Sequence, residues 1–220
     1  MQLYGIPPTR ATRALWLIQE LGLECEVIKI SLLKGDHLKP EFLALNPAAR
    51  LPVLVDGEVV LTESVAIALY LAEKCPEKGL VPTDLAVRAQ MYRWLFFVVT
   101  EIEAPLERIG RHTMLYPEDQ RLPEAVRLAR TEAREMVAVL EKHMQDRKYL
   151  AGDRLTVADL VTAYTLDWAK EEQLLEDAPR LREFVKTLYA RPNAPPTIAQ
   201  AFAALRSAAR PRSGDDGPDG

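Results

Sequence analysis

The sequence predicts an α/β half, ordered βαβ and then ββα, followed by an all-helical half. Three observations predict it. Two strand-like segments flank an amphipathic helix within the first 30 residues, Asp56-Gly57 separates two β-branched runs, and no strand-like segment follows Asp84. With 48% hydrophobic residues in 220, the chain is long enough to bury one large core or two compact halves.

Taken in order, "QLYGI" from Gln2 reads as a strand, after which Ala11, Ala14, Leu15, Leu17, Ile18 and Leu21 recur at helical spacing until Gly22. "CEVIKI" from Cys25 is a second strand. One helix between two strands implies a right-handed parallel βαβ unit. After a looser stretch from Lys34 to Asn46, "LPVLVDGEVVLTES" carries the strongest short-range hairpin signal, and a helix follows from Ser64 to about Lys74. "CPEKGLVPT", with two prolines and a glycine, marks a linker, so the expected units are 1–75, a linker at 76–83 and a helical domain at 84–209. Helices are expected from 84 to about 114 and from 123 to 146. Another opens at Thr156-Val157-Ala158-Asp159, a capping box with Leu155 and Leu160 placed as a hydrophobic staple. Residues 210–220 hold almost nothing to bury and are expected to be a disordered tail.

Composition removes several function classes. A net charge of −4 with interspersed signs opposes nucleic-acid binding, which needs a concentrated basic surface. Cys25 and Cys75 are too far apart for a CxxC pair, and their number suits a reducing compartment. Neither a charged, apolar leader nor a run of ~20 apolar residues occurs, so a cytoplasmic protein without membrane contact is expected.

The stretch "YGIPPTRATRALW" leaves Thr9 with two readings. Its hydroxyl caps the first helix, worth ~1 kcal/mol, or it faces a ligand together with the free N–H groups of the helix start.

"LNPAARLPVLVDGEVVLTESVAIALYL" resembles the glutathione-binding segment of the glutathione transferases, and "KGDHLKPEFLALNP" is similar to theta-type and related bacterial members. The likeness runs from residue 2 to about 190 and includes "AGDRLTVADL". It implies a thioredoxin-like first domain, glutathione as co-substrate, no metal, and a homodimer. The resemblance makes Pro52 cis and gives the main chain of Leu51 to the cysteinyl backbone of glutathione. It gives Glu63 and Ser64 to the γ-glutamyl end, and His37 and Arg50 to the glycine carboxylate. Arg50 is the better grip, because a guanidinium pairs with a carboxylate in bidentate fashion. Thr100 and Glu101 fall near the acidic position that a partner subunit lends to the γ-glutamyl site.

The chemistry implied is thiol activation. A thiol of pKa ~8.5 is about 3% ionised at pH 7, and lowering that pKa by two units takes ~2.7 kcal/mol. One hydrogen bond to a charged sulfur supplies ~1.5 to 3 kcal/mol and a helix N-terminus up to about one more, so no base is required. Thr9 stands where theta-type members carry a catalytic serine. This is a departure, since the β-methyl restricts χ1. Arg10 is the second catalytic candidate, through its side chain or its amide; Tyr4 and Thr12 read as structural. Met91, Trp94, Phe97 and Met114 are candidate walls for a small, apolar electrophile, or else core. Three functions follow: a glutathione transferase, a glutathione-binding or assembly module without catalysis, or another glutathione-dependent enzyme such as an isomerase, dehalogenase or ether-cleaving member. The absence of a cysteine beside Thr9 opposes a thiol-transfer member.

Overall fold

The computed structural model describes residues 1–209; the expected tail at 210–220 lies outside the described residues. Strands β1 (Gln2–Tyr4), β2 (Glu26–Ile28), β3 (Val53–Asp56) and β4 (Val59–Thr62) form one sheet in the order β2-β1-β3-β4. β1 and β2 are parallel, joined through α1 (Ala11–Leu21), while β3 is antiparallel to both β1 and β4. The Asp56-Gly57 hairpin forms as expected, with Gly57 at φ 62°, a conformation glycine adopts without a Cβ penalty. β1 is shorter than the apolar pattern suggests. Gly5, at φ +149°, ends it, and a Cβ there would lie 2.5 Å from the Cβ of Ala11.

α1 and α3 (Ser64–Lys74) cover one face of this sheet. The looser stretch holds one short helix, α2 (Pro40–Leu43), whose Phe42 packs with Ile30 and Val53 in a small cluster that includes Tyr4. The helical half contains α4 (Leu85–Phe97), α5 (Ala104–Gly110), α6 (Pro123–Met144), α7 (Val157–Glu171), α8 (Pro179–Tyr189) and α9 (Ile198–Ala209). α7 is central. Twelve of its fifteen residues are buried, and one continuous core runs from Leu3 and Trp16 through Ile67 to Leu160 and Leu188.

The expected helix from 84 to 114 is interrupted by wide π turns at Val98–Glu103 and Arg111–Leu115. Pro105 lacks the N–H that would bond the carbonyl of Glu101, and its ring crowds that carbonyl; the wider turn relieves both. Its last residue, Glu103, is 4% exposed. The capping box forms: the Asp159 carboxylate accepts from the Thr156 N–H (2.7 Å) and hydroxyl (2.8 Å), and from the Leu150 N–H (2.8 Å).

Candidate functional site

Register brings three separated segments to one end of the sheet. Val53 pairs with Tyr4 on one side and with Thr62 on the other, so Gly5, Pro52 and Glu63 are the next residues out on adjacent strands. Thr9, Arg50, Leu51 and Ser64 therefore cluster at one edge, although 55 residues of sequence separate the first from the last.

At the first segment, the Thr9 hydroxyl donates to the Ile6 carbonyl and accepts from the Ala11 N–H at 3.3 Å. It is a local turn-forming hydroxyl whose one proton already has an acceptor. The Arg10 N–H, next along, makes no hydrogen bond among the described residues. Tyr164 of α7 holds this loop from the helical half, donating its hydroxyl to the Pro8 carbonyl at 2.8 Å. Tyr4 is half-buried, edge-on to Phe42, as a structural residue should be.

At the second segment, Leu51–Pro52 is a cis peptide, as is Pro7–Pro8. Asn46, buried, shapes the approach: its amide donates to the Arg50 carbonyl at 2.8 Å and its carbonyl accepts from the Ala48 N–H at 3.1 Å. Arg50 itself is exposed and donates to Glu107 at 3.2 Å. His37 lies in a 3-10 turn (Asp36–Leu38), half-buried, with a buried Nδ1 that has no hydrogen-bond partner among the described residues.

At the third segment, Glu63 is exposed and held at φ 65°, a left-handed conformation that a residue with a Cβ adopts only when its surroundings impose it. Ser64 opens α3 and is 4% exposed. Its oxygen accepts from the Arg13 guanidinium at 3.1 Å, which leaves its proton free to donate outward at a helix N-terminus. Arg13 is buried on the apolar face of α1, where it is ion-paired with Glu103, donates to Thr165 at 2.6 Å and lies over the Tyr164 ring. Burial pulls its pKa down to about 9, so it remains charged at neutral pH.

Arg10 turns away from the helix start. Its guanidinium bonds Glu103 (2.5 Å) and Glu107 (2.8 Å) and lies 5.8 Å from the centre of the Trp168 ring. Glu107 also accepts from Arg111, which reaches the Tyr116 hydroxyl at 3.3 Å. Burial pushes the Glu107 carboxyl up, but Arg111 and Arg10 outweigh it and hold the pKa at about 2.

Other expected residues fall elsewhere. Met91 and Trp94 are 0% and 3% exposed, and Trp94 stacks on His143 with the partly buried Phe97 at its edge, so these three lie in or against the core. Met114 is exposed, near Arg111 in sequence. Thr100 and Glu101 are exposed and bonded to each other at 2.9 Å, outside the cluster that holds Glu103. Thr12 is buried, as a packing residue is. Among the described residues, no group of His, Cys, Asp or Glu side chains is placed to hold a metal ion.

Arg13, Asn46, Glu103 and Glu107 were not foreseen. An arginine on the apolar stripe of α1 is the one signal that a buried acid must exist. Nothing local says which acid, because Glu103 is 90 residues away.

A small mixed sheet with a cis-proline at the start of β3, tied to a helical domain by charged side chains, is a thioredoxin-like domain with a helical extension. Residues 1–73 match the N-terminal domain model of the glutathione S-transferases and residues 93–192 match the C-terminal one. Glutathione S-transferase 1 of Dianthus caryophyllus is 37% identical over 167 residues, covering 74% of each chain. Glutathione S-transferase 3 of Zea mays is 32% identical over 211 residues, covering 90% of this chain and 93% of that one. A glutathione transferase of Phanerochaete chrysosporium, URE2P6, solved in complex with oxidized glutathione, superposes with a TM-score of 0.80 at 25% identity, over 94% of this chain and 96% of that one. The chain belongs to the glutathione S-transferase family.

Proposed function

We propose that the protein is a glutathione transferase of the hydroxyl-activated, theta-like type, joining the glutathione thiolate to a small electrophile. The observation that carries this reading is the convergence of Thr9, Leu51-Pro52 and Glu63-Ser64 at one sheet end. The γ-glutamyl carboxylate takes the Ser64 proton and the first amides of α3, and Glu63 faces the ammonium. The main chain of Leu51 pairs with the cysteinyl backbone. Arg50 exchanges Glu107 for the glycine carboxylate, with His37 at the margin. The thiol then lies at Thr9 and the Arg10 N–H.

Thiol activation asks Thr9 to release the Ile6 carbonyl. That exchange is favourable, since a hydrogen bond to an anion is roughly twice as strong as a neutral one. The unpaired Arg10 N–H adds a second donor without any rearrangement. Arg10 thus acts through its amide, while its guanidinium is bound to Glu103 and Glu107. One observation favours a second reading, a binding module without catalysis: the Thr9 proton is already engaged.

Steady-state kinetics with 1-chloro-2,4-dinitrobenzene separates the two. Thr9→Ala is expected to lower kcat at least ~10-fold, the loss of one charged hydrogen bond, with the KM for glutathione nearly unchanged. Ser64→Ala is expected to raise that KM instead. Equal kcat in wild type and Thr9→Ala moves activation to the Arg10 amide, and no turnover by either supports the binding module. The reading also includes a cytoplasmic homodimer, in which the exposed Thr100 and Glu101 face the partner's γ-glutamyl site; no helix among the described residues is long and apolar enough to cross a membrane.

A further inference from the structure

A cavity of about 220 Å³ opens where the two halves meet, at the far end of α1 from Thr9. Its lining brings together Glu20 of α1, Lys78 and Leu80 from the chain between α3 and α4, Arg154 and Leu155 ahead of α7, and Arg191 beyond α8. At 1.5 Å of rise per helical residue, Glu20 stands roughly 15 Å along α1 from Arg10, so the cavity is separate from the cluster at the helix start.

The charges lining it do not balance. Glu20 is the one acid, and Arg191 binds both of its oxygens. Lys78 and Arg154, both exposed, make no ion pair and no side-chain hydrogen bond among the described residues, not even with Glu77 and Asp153 beside them in sequence. Two backbone donors are unpaired as well. Leu80 is 5% exposed and its carbonyl accepts from the Val157 N–H at 3.0 Å, but its own N–H, like that of Leu155, makes no hydrogen bond among the described residues. Buried backbone donors are nearly always paired, so an unpaired one on a cavity that also gathers two unpaired cations points to an anionic guest. A phosphoryl dianion suits this set: the guanidinium grips two of its oxygens as a fork, the ammonium adds a point charge, and the amides reach the rest. A carboxylate, with one charge, would leave one cation uncompensated. A single water needs about 10 to 15 Å³ of such space, so the cavity admits a small organic group beside the oxyanion, against Leu80 and Leu155.

We propose that this junction cavity binds a small phosphate monoester, with the phosphoryl group on Lys78, Arg154 and the two amides and the organic group on Leu80 and Leu155. The site does not rest on the glutathione reading. Its ligand touches α1, the chain between α3 and α4, the approach to α7 and the end of α8, so it holds the two halves together and stabilises the folded chain by mass action.

Calorimetric titration of the full chain at pH 8 and fixed ionic strength tests this, with S-methylglutathione present so that the helix start at Ser64 is not available to the probe. Phenyl phosphate is expected to bind once per chain, about tenfold or more tightly than the singly charged benzenesulfonate, the difference that one charge-assisted contact makes. Inorganic phosphate should compete for the same site more weakly. Arg154→Gln and Lys78→Gln should each weaken phenyl phosphate about tenfold, Glu20→Gln should tighten it, and Arg93→Gln, which removes a charge outside the cavity, should leave it unchanged. The thermal midpoint should rise with phenyl phosphate in the wild type and not in Arg154→Gln. Absence of saturable binding to the wild type, or a loss in Arg93→Gln equal to that in Arg154→Gln, overturns the proposal. Inorganic phosphate binding as tightly as phenyl phosphate overturns the monoester assignment in favour of the free ion.

Discussion

At the scale of single residues, Arg13 and Glu107 illustrate opposite uses of an ion pair. Arg13 and Glu103 are both nearly inaccessible, so removing Arg13 takes from Glu103 its buried cation and leaves it charged, buried and held only by Arg10 and the Thr165 hydroxyl. Arg13→Met is expected to cost about 3 to 5 kcal/mol of stability in urea denaturation, far more than an exposed pair would. A loss below ~1 kcal/mol would show that Arg10 alone compensates the Glu103 charge. Glu107 is half-open to solvent and reports on pH. Its folded pKa, about 2, lies below the ordinary 4.5, so its contribution is complete above pH 4.5 and is lost as pH falls toward 2. The gap in thermal midpoint between wild type and Glu107→Gln should therefore shrink between pH 5 and pH 2.5; a gap independent of pH would contradict the arginine pairing. Neither residue was legible beforehand. Apart from the i,i+4 pair of Glu107 with Arg111, their pairings lie 57 to 97 positions apart, and a charge run carries no record of its distant partner.

At the scale of elements, local chemistry was the readable part. The Asp-Gly hairpin, the helix opening at Ser64 and the Thr156–Asp159 capping box all depend on residues within a few positions of each other, and all three form. The wide turns around Pro105 were not legible, because periodicity shows that a helix exists without showing where its ladder is interrupted. Nor did an aromatic stripe reveal its orientation: Met91 and Trp94 face the core because α7 lies against α4, a packing fact. Asp159 gives the element-scale test. Burial pushes its pKa up to about 6 while three donors hold it down, so the group sits between two large opposing effects. Asp159→Ala strands those donors at the start of the central helix and is expected to cost ~3 kcal/mol or more by urea denaturation. A loss under ~1 kcal/mol would mean that water replaces the carboxylate.

At the scale of the whole molecule, the two halves are joined by the same residues that build the site. Tyr164 holds the Pro8 carbonyl, Thr165 and Glu103 meet Arg13, and Arg13 positions the Ser64 hydroxyl, so helical-domain groups support the loops of the sheet domain. Such an arrangement places donors in advance, which is how hydrogen bonding contributes most to stabilising an anion. The central claim is that the Thr9 hydroxyl and the Arg10 N–H, next to the loop that Tyr164 holds, favour a thiolate. Ultraviolet titration of glutathione bound to the protein measures this directly through thiolate absorbance. The bound thiol is expected to titrate about two units below the free one, and Thr9→Ala to move it back toward the free value. A bound thiol that titrates no lower than free glutathione would contradict the transferase reading, leaving a protein that holds glutathione without activating it.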